Sequence, residues 1–373
     1  MNKARIKQSI LSLLILPAST ALLLSCASNG ENENYADTQQ VSFGIPADKF
    51  DLSHWKMNVP VDLDNNGKID EIKVKEMQSY SHPDFFYLDE NGGMVFVSPN
   101  KAITSANSTN TRSELRQMLR GSNTKIKTSY AGNNFAIDAH PLSERFGATG
   151  GKMEATLKVD HVAVNAKNPN TEAAYSVVVG QIHAVKDKAL IAKNLGFGWG
   201  NEPIKVYFKK WPNHDKGSVF WNYERNLAKT DPNRTDIAYP VWGNLWDNSA
   251  EPGDEGIALG EEFSYTINVY KSTMHLTFSA ANKPTVKYSI NLANNVDAYG
   301  NVDHKDHSLG YTADSMYFKA GAYNQCSTKD ASGLWYAGCA GTGDWKTDKA
   351  KGDYTQVTFS DLKLSPAQPQ DSK

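Results

Sequence analysis

The stretch that decides the fold is YFKAGAYNQ at residues 317–325, because polar and apolar side chains alternate along it. A β-strand projects residues i, i+2 and i+4 to one face. The polar face of this predicted strand carries Tyr317, Lys319, Tyr323 and Gln325. The other face carries Phe318, Ala320 and Ala322. The pattern predicts a strand that lies between a core and a polar surface.

Two distant runs show the same alternation, RSELR at residues 112–116 and QIH at 181–183. The first places Arg112, Glu114 and Arg116 on one face, and the second places Gln181 beside His183. The opposite faces are apolar and carry Leu115, Val178 and Ile182. If the three strands are neighbours in one sheet, that sheet has a face rich in arginine, amide, imidazole and phenol. Such a face favours an anionic ligand.

The composition favours an all-β protein over a helix bundle. The 373 residues include 17 Tyr, 8 Trp and 27 Gly, types that are common in strands and turns. We predict strands at 94–98, 112–119, 151–159, 175–183, 204–210, 263–270, 273–279, 285–291, 315–325 and 354–364. Many short strands separated by turn residues predict a sandwich or a barrel, with at most one short helix at 70–80.

The N-terminus has the pattern of an export signal. A basic start precedes an apolar stretch at residues 10–24, which is short for a membrane span. That stretch ends in LLLSC at 22–26, which resembles a bacterial lipobox in which Cys26 is lipidated. Cleavage after Ala27 is the alternative. Either route predicts an exported protein, held at the outer membrane by a lipid or secreted.

Four segments follow from these patterns: a lipoprotein-type signal peptide at 1–26, a flexible linker at 27–45, one β domain at 46–365 and a polar tail at 366–373. Export places Cys326 and Cys339 in an oxidising compartment, which favours a disulfide between them. Closing that loop contributes about 3 kcal/mol in the chain-entropy model. The bond either fixes the wall of a site beside 317–325 or staples a long loop.

Together the three runs resemble the signature strands of polysaccharide lyase family 7, the alginate lyases. The resemblance covers most of 46–365 and implies a β-jelly roll, a sandwich of two antiparallel sheets with a concave substrate groove. Ala322 stands where valine or isoleucine is commoner in the family. The implied reaction is cleavage of the 4-O-glycosidic bond of a polyuronate by β-elimination.

The resemblance assigns roles that the chemistry explains. The C5 proton of a uronate is a poor acid until the adjacent carboxylate is neutralised, a task that suits Arg112 and Gln181. His183 is the expected base for guluronate, and Tyr317 is the expected acid. For mannuronate, Tyr317 could serve as both. In this family isoleucine at the position of Ile182 is associated with guluronate-containing substrates, so we expect that preference.

The remaining polar residues of the runs are predicted to bind substrate. These are Arg116, Lys319, Tyr323, Asn324 and Gln325, together with Glu114 as the anion that orients Arg112 and Arg116. We expect Lys319 and Arg116 to lower the pKa of Tyr317. Lys205, Tyr207 and Lys209 repeat the i, i+2 pattern, and they either extend a basic groove or form a plain amphipathic strand.

One metal-like pattern stands apart, DLDNNGKID at residues 62–70. It copies the opening of an EF-hand loop, with Asp62, Asp64 and Asn66 at ligand positions, but Lys73 stands where a bidentate Glu is needed. A turn stabilised by these side chains is the favoured interpretation over a structural Ca²⁺ site. We expect no metal or other cofactor at the catalytic site.

Two other function classes stay open at this point. A non-catalytic carbohydrate-binding jelly roll would share the basic groove without needing Tyr, His, Gln and Arg at one point. A glycoside hydrolase would need two carboxylates that flank the scissile bond, and only Glu114 is expected at the site. The net charge of −2 excludes a general electrostatic attraction to nucleic acid. The expected protein is a monomer whose partner is an anionic polysaccharide.

Overall fold

The computed structural model describes residues 43–168, 170, 174–329 and 337–370. The predicted signal peptide, Cys26 and nearly all of the linker lie outside these ranges. From Phe43 onward the chain forms one compact unit. Within the described ranges no helix is long and apolar enough to cross a bilayer.

The strands of the described part of the chain form two sheets, and all but one of the strand pairs are antiparallel. The first sheet runs in spatial order through Asp236–Trp242 (β12), Lys216–Glu224 (β11), Ile204–Lys209 (β10), Ser176–Ala184 (β9), Met316–Asn324 (β17), Arg112–Gln117 (β5), Trp55–Val59 (β1) and Asp70–Ile72 (β2). Short strands join its margin: Phe135–Ala136 (β6), Ala148–Thr149 (β7) and Ile257–Ala258 (β13).

The second sheet follows the order Val286–Asn291 (β16), Thr273–Ala280 (β15), Glu262–Tyr270 (β14), Gly151–His161 (β8), Tyr354–Ser365 (β18), Met94–Pro99 (β4) and Phe86–Leu88 (β3). The α-helices are short: Val74–Met77 (α1), Lys188–Ala192 (α2) and Trp345–Lys351 (α3). Single 3₁₀ turns lie at Pro46–Asp48, Ala131–Asn133, Ser143–Arg145 and Gly253–Glu255. This arrangement confirms the predicted all-β sandwich and its predicted strands, and α1 is the short helix expected within residues 70–80. The short helices α2 and α3 were not predicted.

The core lies between the two sheets because each strand turns its apolar residues inward. Along β8 burial alternates residue by residue, as expected for a half-buried strand. Phe318 of β17 is fully buried and packs on Phe135 with ring centroids 5.0 Å apart. Burying a side chain of this size contributes roughly 1.5–3 kcal/mol. The inward residues thus fix which side chains of β5, β9 and β17 face outward, on what we call the site face.

A β-bulge in β9 corrects the predicted direction of Val178. The register of β9 shifts against β10, so that Val179 and Gly180 are successive residues on the core side. A Cβ atom at Gly180 would lie 2.2 Å from the hydroxyl of Tyr265, which leaves room only for glycine. Val178 therefore lies on the site face, not in the core, where it joins Tyr207 in an apolar cluster.

That cluster also explains strands that the alternation pattern missed. Phe220 of β11 packs against Tyr207 on the site face, while the neighbouring Trp221 is buried in the main core. The site face of β11 otherwise carries the polar residues Ser218, Asn222 and Glu224. Phe220 therefore makes residues 219–221 a continuous apolar run that interrupts the alternation. The neighbouring β12 contains Pro240, which weakens the pattern of a strand further.

Candidate active site

Strand pairing brings the three predicted runs together, because β17 lies between β9 and β5. Tyr317 is directly opposite His183, and Lys319 is opposite both Gln181 and Arg116. On the β5 side, Tyr323 is opposite Arg112. The assumption that the runs are neighbours in one sheet is therefore correct.

Glu114 connects the cationic groups of the site. Its side chain is 2% exposed, and Oε2 lies 3.1 Å from Nη1 of Arg112 and in contact with Nζ of Lys319. Oε1 accepts a hydrogen bond from the amide of Gln181. Burial alone would raise the pKa of Glu114, but Lys319, Arg112 and the Gln181 amide lower it below its usual value. Glu114 is thus a structural anion that fixes three neighbours.

The structure corrects one part of the role predicted for Glu114, since it does not orient Arg116. The Arg116 guanidinium instead donates to Asn134 Oδ1 at 2.6 Å and to the carbonyl oxygen of Thr128 at 3.1 Å. Arg112 is held at its other end by Ser108 Oγ, 2.9 Å from Nη2, and lies over the ring of Tyr323. The two arginines therefore have separate supports.

Tyr317 has a positive group and an imidazole on neighbouring strands. The Arg116 guanidinium carbon lies 3.9 Å from the centre of its ring, and the His183 ring is stacked at 5.3 Å with an interplanar angle of 9°. Burial raises the pKa of Tyr317, and the lowering effect of Arg116 does not overcome it. The prediction of a lowered pKa is therefore wrong. Lys319 pairs with Glu114 instead, and burial lowers its own pKa to about 8.

His183 has contacts that the sequence did not reveal. Nδ1 lies 2.6 Å from the carbonyl oxygen of Ala184, and Nε2 lies 3.1 Å from Oε1 of Glu202. Glu202 also hydrogen-bonds the carboxyl group of Glu224. Neither acid lies in a predicted run: Glu202 precedes β10, and Glu224 ends the missed strand β11. The expectation that Glu114 is the only acid at the site is wrong.

These two acids do not have the geometry of a glycoside hydrolase. Catalytic carboxyl groups in retaining hydrolases are about 5–5.5 Å apart, with the sugar between them. Glu202 and Glu224 instead bond to each other, and Glu224 is 3% exposed.

Two residues predicted to bind substrate do not reach the accessible surface. The side chain of Asn324 donates to Asn100 Oδ1 at 2.8 Å, and that of Gln325 donates to the carbonyl oxygen of Tyr323 at 3.1 Å. Both side chains are buried away from the Glu114 network, whereas the equally buried Gln181 hydrogen-bonds Glu114 and lies opposite Lys319. Strand β17 ends at Asn324, and from this point the chain runs into the protein interior.

The lysines of β10 are on the site face, but their charge is largely compensated. Nζ of Lys205 lies 3.4 Å from Glu202 and 3.5 Å from Asp236. Nζ of Lys209 lies 4.3 Å from the centre of the Trp211 ring. The predicted extension of the groove is thus a set of paired charges and aromatic rings.

Cys326 and Cys339 form a disulfide with Cα atoms 4.9 Å apart, which confirms their predicted pairing. The residues after Cys326 are tied back to the site. Thr328 donates from its backbone N–H and its hydroxyl to the carbonyl oxygen of Thr109, at 2.7 and 2.9 Å. Thr109 is next to Ser108, which holds Arg112.

The acidic loop at 62–70 is a tight turn of the favoured kind. Asp62 accepts hydrogen bonds from the backbone N–H groups of Asn66 and Gly67 at 2.9 and 2.8 Å. The Asn66 amide donates to Asp64, so this side chain completes the turn. Carboxylates that could approach one ion come from Asp62, Asp64 and Asp70 rather than from Asn66.

Comparisons with known proteins agree with this fold. The family model described as alginate lyase matches residues 50–366. An alginate lyase from Klebsiella pneumoniae is 37% identical over 328 residues, 86% of this chain and 91% of that protein. The crystal structure of the alginate lyase from Klebsiella pneumoniae, 33% identical, covers 87% of this chain and 99% of its own with a TM-score of 0.66. The exolytic alginate lyase from Zobellia galactanivorans, 33% identical, covers 88% and 99% with a TM-score of 0.67.

A jelly-roll sandwich with a buried cationic site beside a phenol and an imidazole defines the class, a polysaccharide lyase. Within that class the chain belongs to the alginate lyase family, as the three sequence runs indicated.

Proposed function

We propose that this protein cleaves alginate by β-elimination, and that it acts faster on guluronate-containing blocks than on polymannuronate. One observation carries the proposal: Tyr317 lies between His183 and Arg116, on the strand that also brings Lys319 beside Gln181. A binding module would not need an acid and a base side by side.

The substrate carboxylate is neutralised by Arg112 and Gln181 in this proposal. Two of the Arg112 nitrogens already donate, to Glu114 and Ser108, but its other N–H groups remain for a ligand. Gln181 is fixed by its bond to Glu114, so its dipole is oriented before substrate arrives. Preorganised donors of this kind stabilise the charge that develops after C5 loses its proton.

His183 and Tyr317 divide the proton transfers. The raised pKa of Tyr317 keeps its phenol protonated at neutral pH, which suits the acid that protonates the leaving oxygen. His183 is then the base. Two separate groups suit guluronate, from which the C5 proton and the departing oxygen leave on opposite faces. This division supports the proposed preference.

The proposal has three further parts. The protein is exported and anchored by a lipid at Cys26, it needs no cofactor, and it acts as a monomer. The measurements for these parts are mass spectrometry of the mature N-terminus, activity after dialysis against a chelator, and sedimentation. A lipid-modified Cys26, unchanged activity and a monomeric mass are the expected results.

Ultraviolet absorbance of alginate during incubation tests the reaction itself. Elimination makes a conjugated unsaturated uronate, so absorbance should rise together with new reducing ends. New reducing ends without absorbance would indicate hydrolysis, and neither signal would indicate a binding protein. Purified polyguluronate and polymannuronate, compared in the same assay, test the preference.

A further inference from the structure

A row of polar side chains crosses the site face at right angles to its strands. Strand pairing sets six residues in register from β1 to β11: Lys56, Arg116, Lys319, Gln181, Lys205 and Asn222. The proposed catalytic centre lies in the middle of this row, on β5, β17 and β9. What lies above each end of the row decides in which direction a bound polysaccharide can extend.

A segment of chain covers the end of the row over β10 and β11. The indole ring of Trp246, in the segment 243–252 that follows β12, packs edge-on against the rings of Tyr207 and Phe220, with centroids 4.8 and 4.6 Å apart. Its Nε1 donates to Oδ1 of Asn222, the last residue of the row, at 3.3 Å. We call residues 243–252 the covering segment.

The kind of cover distinguishes this end from the catalytic centre, because the degree of burial does not: Gln181 is as fully buried as Asn222. Gln181 is enclosed by its neighbours in the sheet, and its amide donates to Glu114. His183, on the same strand, keeps 25% of its side chain exposed. Over Asn222, by contrast, lies the side chain of Trp246 from outside the sheet. The covering segment therefore blocks the path of a sugar chain beyond Gln181.

The charges at the covered end do not favour a uronate. Nζ of Lys205 lies 3.4 Å from Glu202 and 3.5 Å from Asp236, and Arg234 contacts Glu224. Both cations of this corner thus already face carboxyl groups. A further carboxylate from a polyuronate would meet acids there.

The opposite end of the row, over β5, β1 and β2, is cationic and reaches the surface. Lys56 pairs with Glu71, whose side chain is 44% exposed. Burial lowers the pKa of Lys56, Glu71 opposes this effect, and the nearby charges of Arg116 and Arg120 lower the pKa further. One carboxylate therefore stands among three cations. Such an excess of positive charge attracts a polyuronate.

We propose that the covering segment closes one end of the substrate groove, so that a polyuronate reaches the catalytic centre only from the side of Lys56 and Arg120 and is cut near a chain end. The inference rests on the proposed function and adds the mode of cleavage to it. An internal stretch of polymer needs room on both sides of the scissile bond, and the covering segment removes that room on one side.

Chain length tests the inference in the parent enzyme. Two alginates of equal composition, one of them shortened by mild acid hydrolysis, are compared at the same low concentration of sugar units. An enzyme that works from chain ends should act about tenfold faster on chains that are tenfold shorter, because these have tenfold more ends. The initial rise in ultraviolet absorbance measures the rate. Equal rates on the two preparations would overturn the inference.

The size of the first products gives a second readout. Short unsaturated oligosaccharides should appear from the start while the remaining polymer stays long. Unsaturated products of all lengths at low conversion would overturn the inference and leave the lyase reaction standing. If the parent makes no unsaturated product at all, the proposed function fails, and the inference fails with it.

Variants of the covering segment test its part in this. Trp246→Ala removes the ring that packs on Tyr207 and Phe220, so the ratio of the two rates should fall towards one and longer products should appear. Trp246→Phe keeps an aromatic ring there and should keep most of the parent's ratio. The control Trp345→Ala removes a ring of α3 that packs on Phe85, and it should leave the ratio unchanged.

A folded Trp246→Ala enzyme with the ratio and products of the parent would overturn the role of the covering segment. If that variant does not fold, the parent's rates on the two preparations still decide whether cleavage starts from chain ends.

Arg120→Gln tests the direction of approach. It removes one cation of the open end and should raise KM for long chains about twofold to fivefold, with kcat retained, as expected for an exposed charge pair. An unchanged KM in the folded variant would overturn the assigned direction.

Discussion

The guanidinium of Arg116 lies over the ring of Tyr317, with its central carbon 3.9 Å from the ring centre. This contact places a fixed positive charge beside the phenol without taking part in the Glu114 network. Burial nevertheless dominates and raises the pKa of the phenol. In the proposed mechanism, Arg116 would stabilise the negative charge that develops on the phenol oxygen during proton transfer.

Replacing Tyr317 with Phe should abolish most turnover while leaving the fold intact. The change removes one hydroxyl and keeps the ring between Arg116 and His183. General acid–base groups contribute roughly 10²–10⁴-fold to rate, so kcat should fall by about that factor. Steady-state kinetics with alginate checks this, with thermal unfolding as the control. Activity within a few-fold of the parent would remove Tyr317 from the mechanism.

Removing Glu114 should destabilise the protein rather than only slow it. In Glu114→Gln the buried Arg112 and Lys319 lose their shared counter-charge, and breaking a buried ion pair costs about 3–5 kcal/mol. Denaturant unfolding at neutral pH measures this loss.

The difference in unfolding free energy between the parent and Glu114→Gln should also change with pH in a definite direction. The folded pKa of Glu114 is lowered, so its contribution is present above the unfolded pKa and is lost as pH falls through the folded pKa. Parent and variant should therefore converge in stability in acid. A difference that stays constant down to acidic pH would contradict the assigned ionisation.

Lys319 should limit activity in alkali. Its pKa of about 8 means that the site loses a cation as pH rises through that value. We expect kcat/KM to fall above about pH 8, and Lys319→Arg, whose cation persists, should shift this fall to higher pH. A pH–rate profile of both enzymes is the measurement, with unfolding curves to verify that the larger side chain is accommodated. An identical alkaline limb in the two enzymes would exclude Lys319 as its source.

His183→Ala should reduce guluronate cleavage more than mannuronate cleavage. The base is needed on the face opposite the leaving oxygen for guluronate, whereas Tyr317 could act alone on one face for mannuronate. Initial rates on purified blocks test this. A parent that prefers polymannuronate, together with an equal loss on both blocks, would overturn the preference and leave the lyase chemistry standing.

The Cys326–Cys339 bond should matter for both stability and substrate affinity. A Cys326→Ser/Cys339→Ser variant should lose about 2–4 kcal/mol of unfolding free energy. KM should rise, because Thr328 anchors the segment that carries Ser108 and hence Arg112. Unfolding curves and kinetics of the double variant measure both effects. An unchanged KM would show that the disulfide stabilises the fold without positioning the site.

Much of this site was predictable because the alternation of polar and apolar residues is a local pattern in the sequence. Alternation along β5, β9 and β17 fixes which side chains share a face, and the core on the other face leaves a single register that buries Phe318 and Leu115. The sequence alone did not reveal the bulge at Gly180, since it depends on Tyr265 arriving from the opposite sheet.

Glu202 and Glu224 escaped prediction for a related reason. Their contacts with His183 and with each other form only in the folded sheet, and no periodic pattern in the sequence indicates them. The predicted direction of the shift in the pKa of Tyr317 was wrong for a similar reason. Burial depends on the whole folded site, whereas the sequence shows only which charged residues are available.

Mass spectrometry of the oligosaccharides released from alginate tests the central claim most directly. Elimination leaves an unsaturated sugar at each new non-reducing end, so every product except the fragment from the original non-reducing end of the chain should be lighter by one water than the corresponding hydrolysis product. The parent enzyme should give predominantly these lighter products, and Tyr317→Phe should give almost none. Internal fragments that retain the water, or lighter products formed equally well by the Tyr317→Phe enzyme, would contradict the account.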